Sequence, residues 1–148
     1  MSGQFAVGDT LPKLTHAATP LQLFRYSAVT WNAHRIHFDP AYARQEGHDG
    51  VALHSHLRAA LALRCVTEGL GPSWRIVKVV YRLRKPAYAP VELAYTARVT
   101  AIEGDTLTLE MAEEHPSGEV GFEGTVWASK VAPARRHAAP KVTAGASE

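Results

Sequence analysis

Between Val91 and Val99 the chain alternates: Val91, Leu93, Tyr95, Ala97 and Val99 are interleaved with Glu92, Ala94, Thr96 and Arg98. This period of two marks a strand with one buried face. Glu103-Gly104-Asp105 supplies turn residues, after which Leu107, Leu109 and Met111 alternate with Thr106, Thr108 and Glu110, as the returning arm of a hairpin does. Pro116-Ser117-Gly118 marks another turn. The run from Glu119 to Val131 is rich in Val, Phe, Thr and Trp, and Trp74 to Leu83 is β-branched and aromatic until Lys85-Pro86 interrupts it. The second half is therefore expected to be an antiparallel meander of about four strands, with the last strand leaving an exposed edge.

The first half follows a different period. Leu53, Leu57, Leu61 and Cys65 form an i, i+4 stripe within Leu53 to Gly69, a stretch of good helix formers that predicts an amphipathic helix lying on a sheet. Gly69 and Gly71-Pro72 are its stop signals. Asp39-Pro40-Ala41-Tyr42-Ala43-Arg44 predicts a short helix with Asp39 at the N-cap and Pro40 in the first turn. Together these elements predict one α+β domain over residues 1–132, a long helix in the concave face of a curved antiparallel sheet. From Pro133 onward the only large apolar residue is Val142, so 133–148 is expected to be a solvated, disordered tail. Its Arg-Arg-His cluster reads as solubilising charge.

With 148 residues and a 46% hydrophobic fraction, the chain is large enough for one continuous core. Charged residues make up 20% and the net charge is +2, without a Lys/Arg stripe, so nucleic acid is not an expected partner. No window approaches the ~20 apolar residues of a membrane span, and Met1 to Leu11 lacks the pattern of a secretory signal. The single cysteine, Cys65, leaves no internal disulfide and no Cys-rich zinc site, which fits a cytoplasmic setting.

Candidate chemistry concentrates in two places. The segment Phe24 to Asp39 packs Ser27, Thr30, Asn32, His34, Arg35, His37 and Asp39 among aromatic residues. His54-Ser55-His56 begins the long helix, whose exposed N–H groups and positive dipole end polarise an oxygen carrying partial negative charge. The two segments are read as halves of one site. Arg82, Arg84 and Lys85 form a cationic run, either a phosphate-binding patch or a solvated strand face.

Residues 25–44, RYSAVTWNAHRIHFDPAYAR, resemble the MaoC-like dehydratases and (R)-specific enoyl-CoA hydratases. The branch they resemble is the one related to mitochondrial 3-hydroxyacyl-thioester dehydratase and mesaconyl-CoA hydratase. Phe5-Ala6-Val7-Gly8-Asp9-Thr10-Leu11-Pro12 is similar to the family's opening, and Val51 to Leu57 to its approach to the central helix. The resemblance implies a hot-dog fold, which matches the architecture above. It also implies reversible addition of water to a 2-enoyl thioester, with CoA as part of the substrate and no cofactor or metal. HxxH at 34–37 and HxH at 54–56 offer four imidazoles, but the zincin spacing HExxH is absent and the dehydratase motif accounts for the same residues.

The family's Asp-x-Asn-Pro-(Ile/Leu)-His pattern places its His on His37, its Asp on Asn32, its Asn on His34 and its Pro on Arg35. An amide cannot accept a proton at neutral pH, so His37 is expected to be the acid/base group. Asn32 either positions water or holds a turn. His34 is either a second proton-transfer group or a surface residue. The family's activating N–H at the start of the helix falls on Ser55, with His54 and His56 beside it. Arg84 and Lys85 are candidates for the CoA phosphates. Arg35 is expected to pair with an acidic neighbour. Trp31 and Trp74 are expected in the core, Trp31 alternatively lining an acyl tunnel. The branch also admits a small dicarboxylic acyl group.

Hot-dog domains usually pair through sheet edges, so a homodimer or higher homo-oligomer is expected. Two other functions share the fold. One is a non-catalytic acyl-CoA-binding subunit of a hetero-oligomer, marked by the loss of the Asp at Asn32. The other is a thioesterase, for which Asp49 or Glu46 would have to fold inward.

Overall fold

The structure is a computed structural model and describes residues 5–131; the segment expected to be a tail lies outside the described residues. β1 (Leu14–Ala18) leads into Thr19, whose hydroxyl accepts the Gln22 N–H at 3.2 Å and so caps α1 (Pro20–Thr30). A 3-10 turn (Arg35–His37) and α2 (Pro40–Gln45) follow, the latter capped by Asp39 as the sequence predicts. β2 (Val51–Ala52) then precedes the central helix α3 (Ser55–Leu70), after which come β3 (Trp74–Leu83), β4 (Tyr88–Ala89), β5 (Val91–Glu103), β6 (Thr106–Glu114) and β7 (Val120–Lys130).

The main sheet is antiparallel, in the order β1-β5-β6-β7-β3, and β2 pairs with β4 in a separate two-stranded ladder. The hairpins β5-β6 and β6-β7 are those the alternation predicts. β3 departs from a simple meander: it pairs with β7, from Trp74 opposite Lys130 to Leu83 opposite Phe122. Pro86 has no N–H to give to a ladder, and the next strand, β4, is taken up by β2. The chain therefore leaves the sheet between β3 and β5 instead of turning back in a hairpin. As a result β7 is an interior strand, correcting the expectation of an exposed last strand, and the free edges belong to β1 and β3. β3 carries exposed Val77, Val80 and Leu83.

α3 lies against β3, β5 and β6. Its Leu57, Leu61, Ala62, Cys65 and Val66 are buried with Leu93, Tyr95, Ala97, Val99, Leu107, Leu109, Met111, Phe122 and Val126 from the sheet. Each buried leucine contributes about 2 kcal/mol by removal of apolar area from water. The helix begins at Ser55, not Leu53, because the Leu53 N–H donates to the Ala87 carbonyl at 2.8 Å and holds that residue extended. Gly69 lies inside the last turn, where a β-carbon would come within 2.9 Å of Leu11; the absence of a side chain is what lets Leu11 close over the helix end.

Candidate active site

Most polar side chains between α1 and α2 are used to build one tight turn. The Asn32 side-chain carbonyl accepts the His34 N–H at 3.2 Å, and His34 Nδ1 accepts the Ile36 N–H at 3.4 Å. Asp39 Oδ1 accepts the N–H groups of Ala41 and Tyr42 at 3.0 Å, while Oδ2 pairs with Arg35. Hydrogen bonding to the Tyr42 N–H, then to Arg35, holds the Asp39 carboxyl below its usual range. The expected ion pair of Arg35 is thus present. These bonds turn His37 inward, where it is buried.

The orientation of His37 fixes its chemistry. Its Nδ1 lies 2.7 Å from the Ala52 carbonyl oxygen. A carbonyl can only accept, so Nδ1 carries the proton and Nε2 presents a lone pair. Burial lowers the pKa of the ring, the Ala52 bond partly opposes this, and His34 and His48 lower it further. His37 is therefore a neutral imidazole at pH 7 with its basic nitrogen free of any protein hydrogen bond among the described residues.

His54, at the N-cap of α3, stacks on His37 with ring centroids 3.7 Å apart and planes 17° apart. Its Nε2 shares a 2.8 Å hydrogen bond with Ser27 Oγ of α1, and the Tyr26 ring lies 4.7 Å from its own. Burial, then His37 and His56, hold the His54 pKa down at about 4, so it too is neutral. Among the described residues its Nδ1 is buried without a partner, and no side chain caps α3. The N–H groups of the first helical turn, Ser55 foremost, are left free to bind an oxygen.

Two clefts flank this helix start. One, of about 280 Å³, is lined by Leu53, Ser55, Arg58, Leu83, Arg84, Lys85 and Pro86. The other, of about 400 Å³, is lined by Tyr26, Thr30, Trp31, Asn32, His54 and His56. Arg84 and Lys85 line the first cleft, where Lys85 pairs with Glu119, and Arg84 shares Glu123 with Arg82.

The floor of the first cleft holds a group the sequence reading missed. Arg58 is buried and paired through two nitrogens with buried Glu113; it also donates to the carbonyls of Lys85 and Gly121. Tyr95 donates its hydroxyl to Glu113 at 2.9 Å; burial, then the Glu113 carboxylate, push its phenol well above the usual range. Fifty-five residues separate Arg58 from Glu113. The one local signal was that Arg58 follows Leu57 on the buried side of the helix.

The structure thus brings His37, His54 and Ser55 together with Ser27, whose role as His54's partner was not expected. His34 and His56 are exposed; the His34 ring approaches His37 edge-on at 6.2 Å. Trp31 is 93% exposed, which corrects its expected place in the core: it ends α1 in a left-handed conformation that carries its ring away from the packed face. Trp74 is half-buried against Phe5. Glu46 and Asp49 are exposed and do not fold inward. Among the described residues no group of three or more His, Cys, Asp or Glu side chains is placed to hold a metal ion, and no helix is long and apolar enough to cross a membrane.

A family model described as hydroxyacyl-thioester dehydratase type 2 matches residues 8–89. The mesaconyl-C(4)-CoA hydratase of Chloroflexus aurantiacus is 35% identical over 108 residues, which are 72% of this chain and 36% of that protein. The chain therefore spans about a third of that relative's length. Among solved structures, the ChsH1-ChsH2 complex from Mycobacterium tuberculosis has a chain 25% identical, with a TM-score of 0.80, covering 86% of this chain and 100% of that one. The (R)-hydratase from A. caviae involved in PHA biosynthesis superposes with a TM-score of 0.81 at 18% identity, covering 86% of this chain and 98% of that one. The fold is the hot-dog fold these structures share.

Proposed function

The chain belongs to the hydroxyacyl-thioester dehydratase type 2 family, and from that premise we propose that it is an acyl-thioester hydro-lyase adding water reversibly to a 2-enoyl-CoA. The observation that carries this reading is the tautomer of His37: Nδ1–H is tied to the Ala52 carbonyl and Nε2 is free beside the uncapped start of α3. The thioester carbonyl oxygen accepts the Ser55 N–H. Nε2 takes a proton from water as the water oxygen bonds to C3, and the electron pair of the C2–C3 double bond moves to an enolate held at the helix terminus. The resulting imidazolium returns that proton to C2, leaving a 3-hydroxyacyl thioester and a neutral His37. Dehydration is the reverse. His54, neutral at pH 7, puts no second positive charge against this imidazolium.

Asn32 then serves as the turn residue that sets the angle of His37, and its free amide faces the larger cleft. Arg84 and Lys85 hold the CoA phosphates, exchanging their carboxylate partners for them; such exposed pairs contribute only about 0–1 kcal/mol each, so the exchange costs little. No separate cofactor takes part. The exposed apolar edge of β3 pairs with a second copy, giving a homodimer or higher homo-oligomer in the cytoplasm. A second reading is favoured by Asn32 standing where the family has Asp, and by the two-chain composition of the ChsH1-ChsH2 complex. It makes this chain an acyl-CoA-binding subunit working beside an active partner.

The test is the loss of enoyl-thioester absorbance when crotonyl-CoA or mesaconyl-CoA is mixed with the purified chain, beside His37→Ala and Asn32→Asp. The reading expects hydration by the wild type, a loss of at least ~10²-fold in His37→Ala, and retained activity in Asn32→Asp, whose carboxylate still accepts the His34 N–H. CoA binding without turnover, with hydration appearing only on addition of a partner chain, assigns the subunit role instead.

A further inference from the structure

Trp31 ends α1 at φ 57 and ψ 27, the left-handed region in which a β-carbon is strained and where glycine commonly terminates a helix. It is the one non-glycine residue with positive φ among the described residues. Its side chain is nevertheless almost wholly exposed. An indole so placed strains the backbone and gains almost no packing among the described residues, so the fold they form has no use for it.

The indole does have a place in the site: it walls the cleft of about 400 Å³ on the His54 side of the helix start. Aromatic surface runs from the rim inward, with Tyr26 against His54 at 4.7 Å and His54 on His37 at 3.7 Å. None of the six lining residues is Lys, Arg, Asp or Glu. The fixed cations sit in the other cleft, with Ser55, Arg84 and Lys85. A thioester laid across the Ser55 N–H thus meets the Arg84 and Lys85 cations on one side and, on the other, a cleft walled by aromatic rings with Thr30 and Asn32 between them.

Resting on the hydratase reading, the geometry points to an uncharged, ring-bearing acyl group as the substrate class, held against the Trp31 indole. An apolar cavity of about 150 Å³ holds a benzene ring, so this cleft has room for one ring or two fused rings. A short unbranched chain leaves the indole wet. A second carboxylate on the acyl group would meet no lysine or arginine in this cleft to compensate its lost hydration.

The experiment compares trans-3-cyclohexylpropenoyl-CoA, crotonyl-CoA and mesaconyl-CoA as substrates of the wild type, Trp31→Gly and Trp31→Phe. Binding of the saturated 3-cyclohexylpropanoyl-CoA and butanoyl-CoA is measured on the same proteins by calorimetry, so that the acyl preference is read without turnover. The cyclohexyl thioesters are expected to be preferred by about tenfold, the gain from burying roughly 50–60 Å² more apolar surface against the indole. Trp31→Gly removes that preference, mainly through KM, and Trp31→Phe keeps most of it. Trp31→Gly also leaves the melting temperature unchanged or raised, because glycine relieves the left-handed strain. Equal binding of the two saturated thioesters, preference for mesaconyl-CoA, or a Trp31→Gly variant that alters oligomeric state and not acyl preference overturns the inference. Absence of hydration of every substrate, with the binding preference intact, counts against the hydratase reading alone.

Discussion

Glu113→Leu tests the buried ion pair beneath the first cleft. Glu113 and Arg58 are 0% and 2% exposed, and removing the carboxylate leaves a guanidinium sealed in the protein with, among the described residues, the Lys85 and Gly121 carbonyls alone to solvate it. The Tyr95 hydroxyl loses its acceptor as well. Breaking one side of such a pair costs about 3–5 kcal/mol. With an unfolding entropy of ~2.1 cal/mol/K per residue, the melting temperature falls by roughly 10–20 °C. Replacing both partners, Arg58→Met with Glu113→Leu, removes the uncompensated charge and recovers part of the loss, the Tyr95 hydroxyl staying without its acceptor. It does not restore the donors to the Lys85 and Gly121 carbonyls, so the segment carrying Arg84 and Lys85 loses its anchor and KM for a CoA thioester rises although the protein is more stable than Glu113→Leu alone. Thermal and urea unfolding of the two single variants and the double variant give the coupling energy, expected to be at least about 2 kcal/mol. A Glu113→Leu variant within about 1 kcal/mol of the wild type, with additive single and double effects, refutes the reasoning.

Three further outcomes follow from the same geometry. His54 is held at a pKa of about 4 against 6.5 for the unfolded ring, so the unfolded chain takes up the proton first as pH falls. The stability this contributes is complete above about pH 6.5 and gone near pH 4; urea unfolding should show a loss of ~2 kcal/mol between pH 7 and pH 5, and His54→Phe should flatten that slope. Gly124→Ala places a β-carbon 2.7 Å from the Val80 carbonyl oxygen and 2.9 Å from Met111 Cε; overpacking against backbone should cost about 1–3 kcal/mol in chemical denaturation. Cys65 is buried and burial raises its thiol pKa, so a thiol reagent at pH 7 should label it only after denaturant is added.

The parts of this architecture that were legible in the sequence are those built from near neighbours. The stripe Leu57, Leu61 and Cys65 and the alternation around Leu93 and Leu109 reported their own buried faces, and Asp39-Pro40 announced a helix start. α1 was missed because Leu21, Phe24 and Val29 are apolar yet exposed, which blurs the helical period. The partner of β3 was misplaced because strand pairing depends on where the chain goes after Pro86, a tertiary matter. His37 and Ser55, which a long local motif singles out, lie at the proposed site. Ser27 and His54, 27 residues apart, and Arg58 and Glu113 meet only when the helix is laid in the sheet. Trp31 illustrates the same limit from the other side: composition favours burial of an indole, and the left-handed helix end turns it out.

In the proposed hydration, Nε2 of His37 moves one proton between water and C2 of an enoyl thioester. Crotonyl-CoA incubated with the purified chain in D2O and followed by NMR tests it directly. The expected product is 3-hydroxybutyryl-CoA carrying a single deuterium at C2, with none formed by His37→Ala. Free CoA with crotonate, or product formed equally well by His37→Ala, contradicts it.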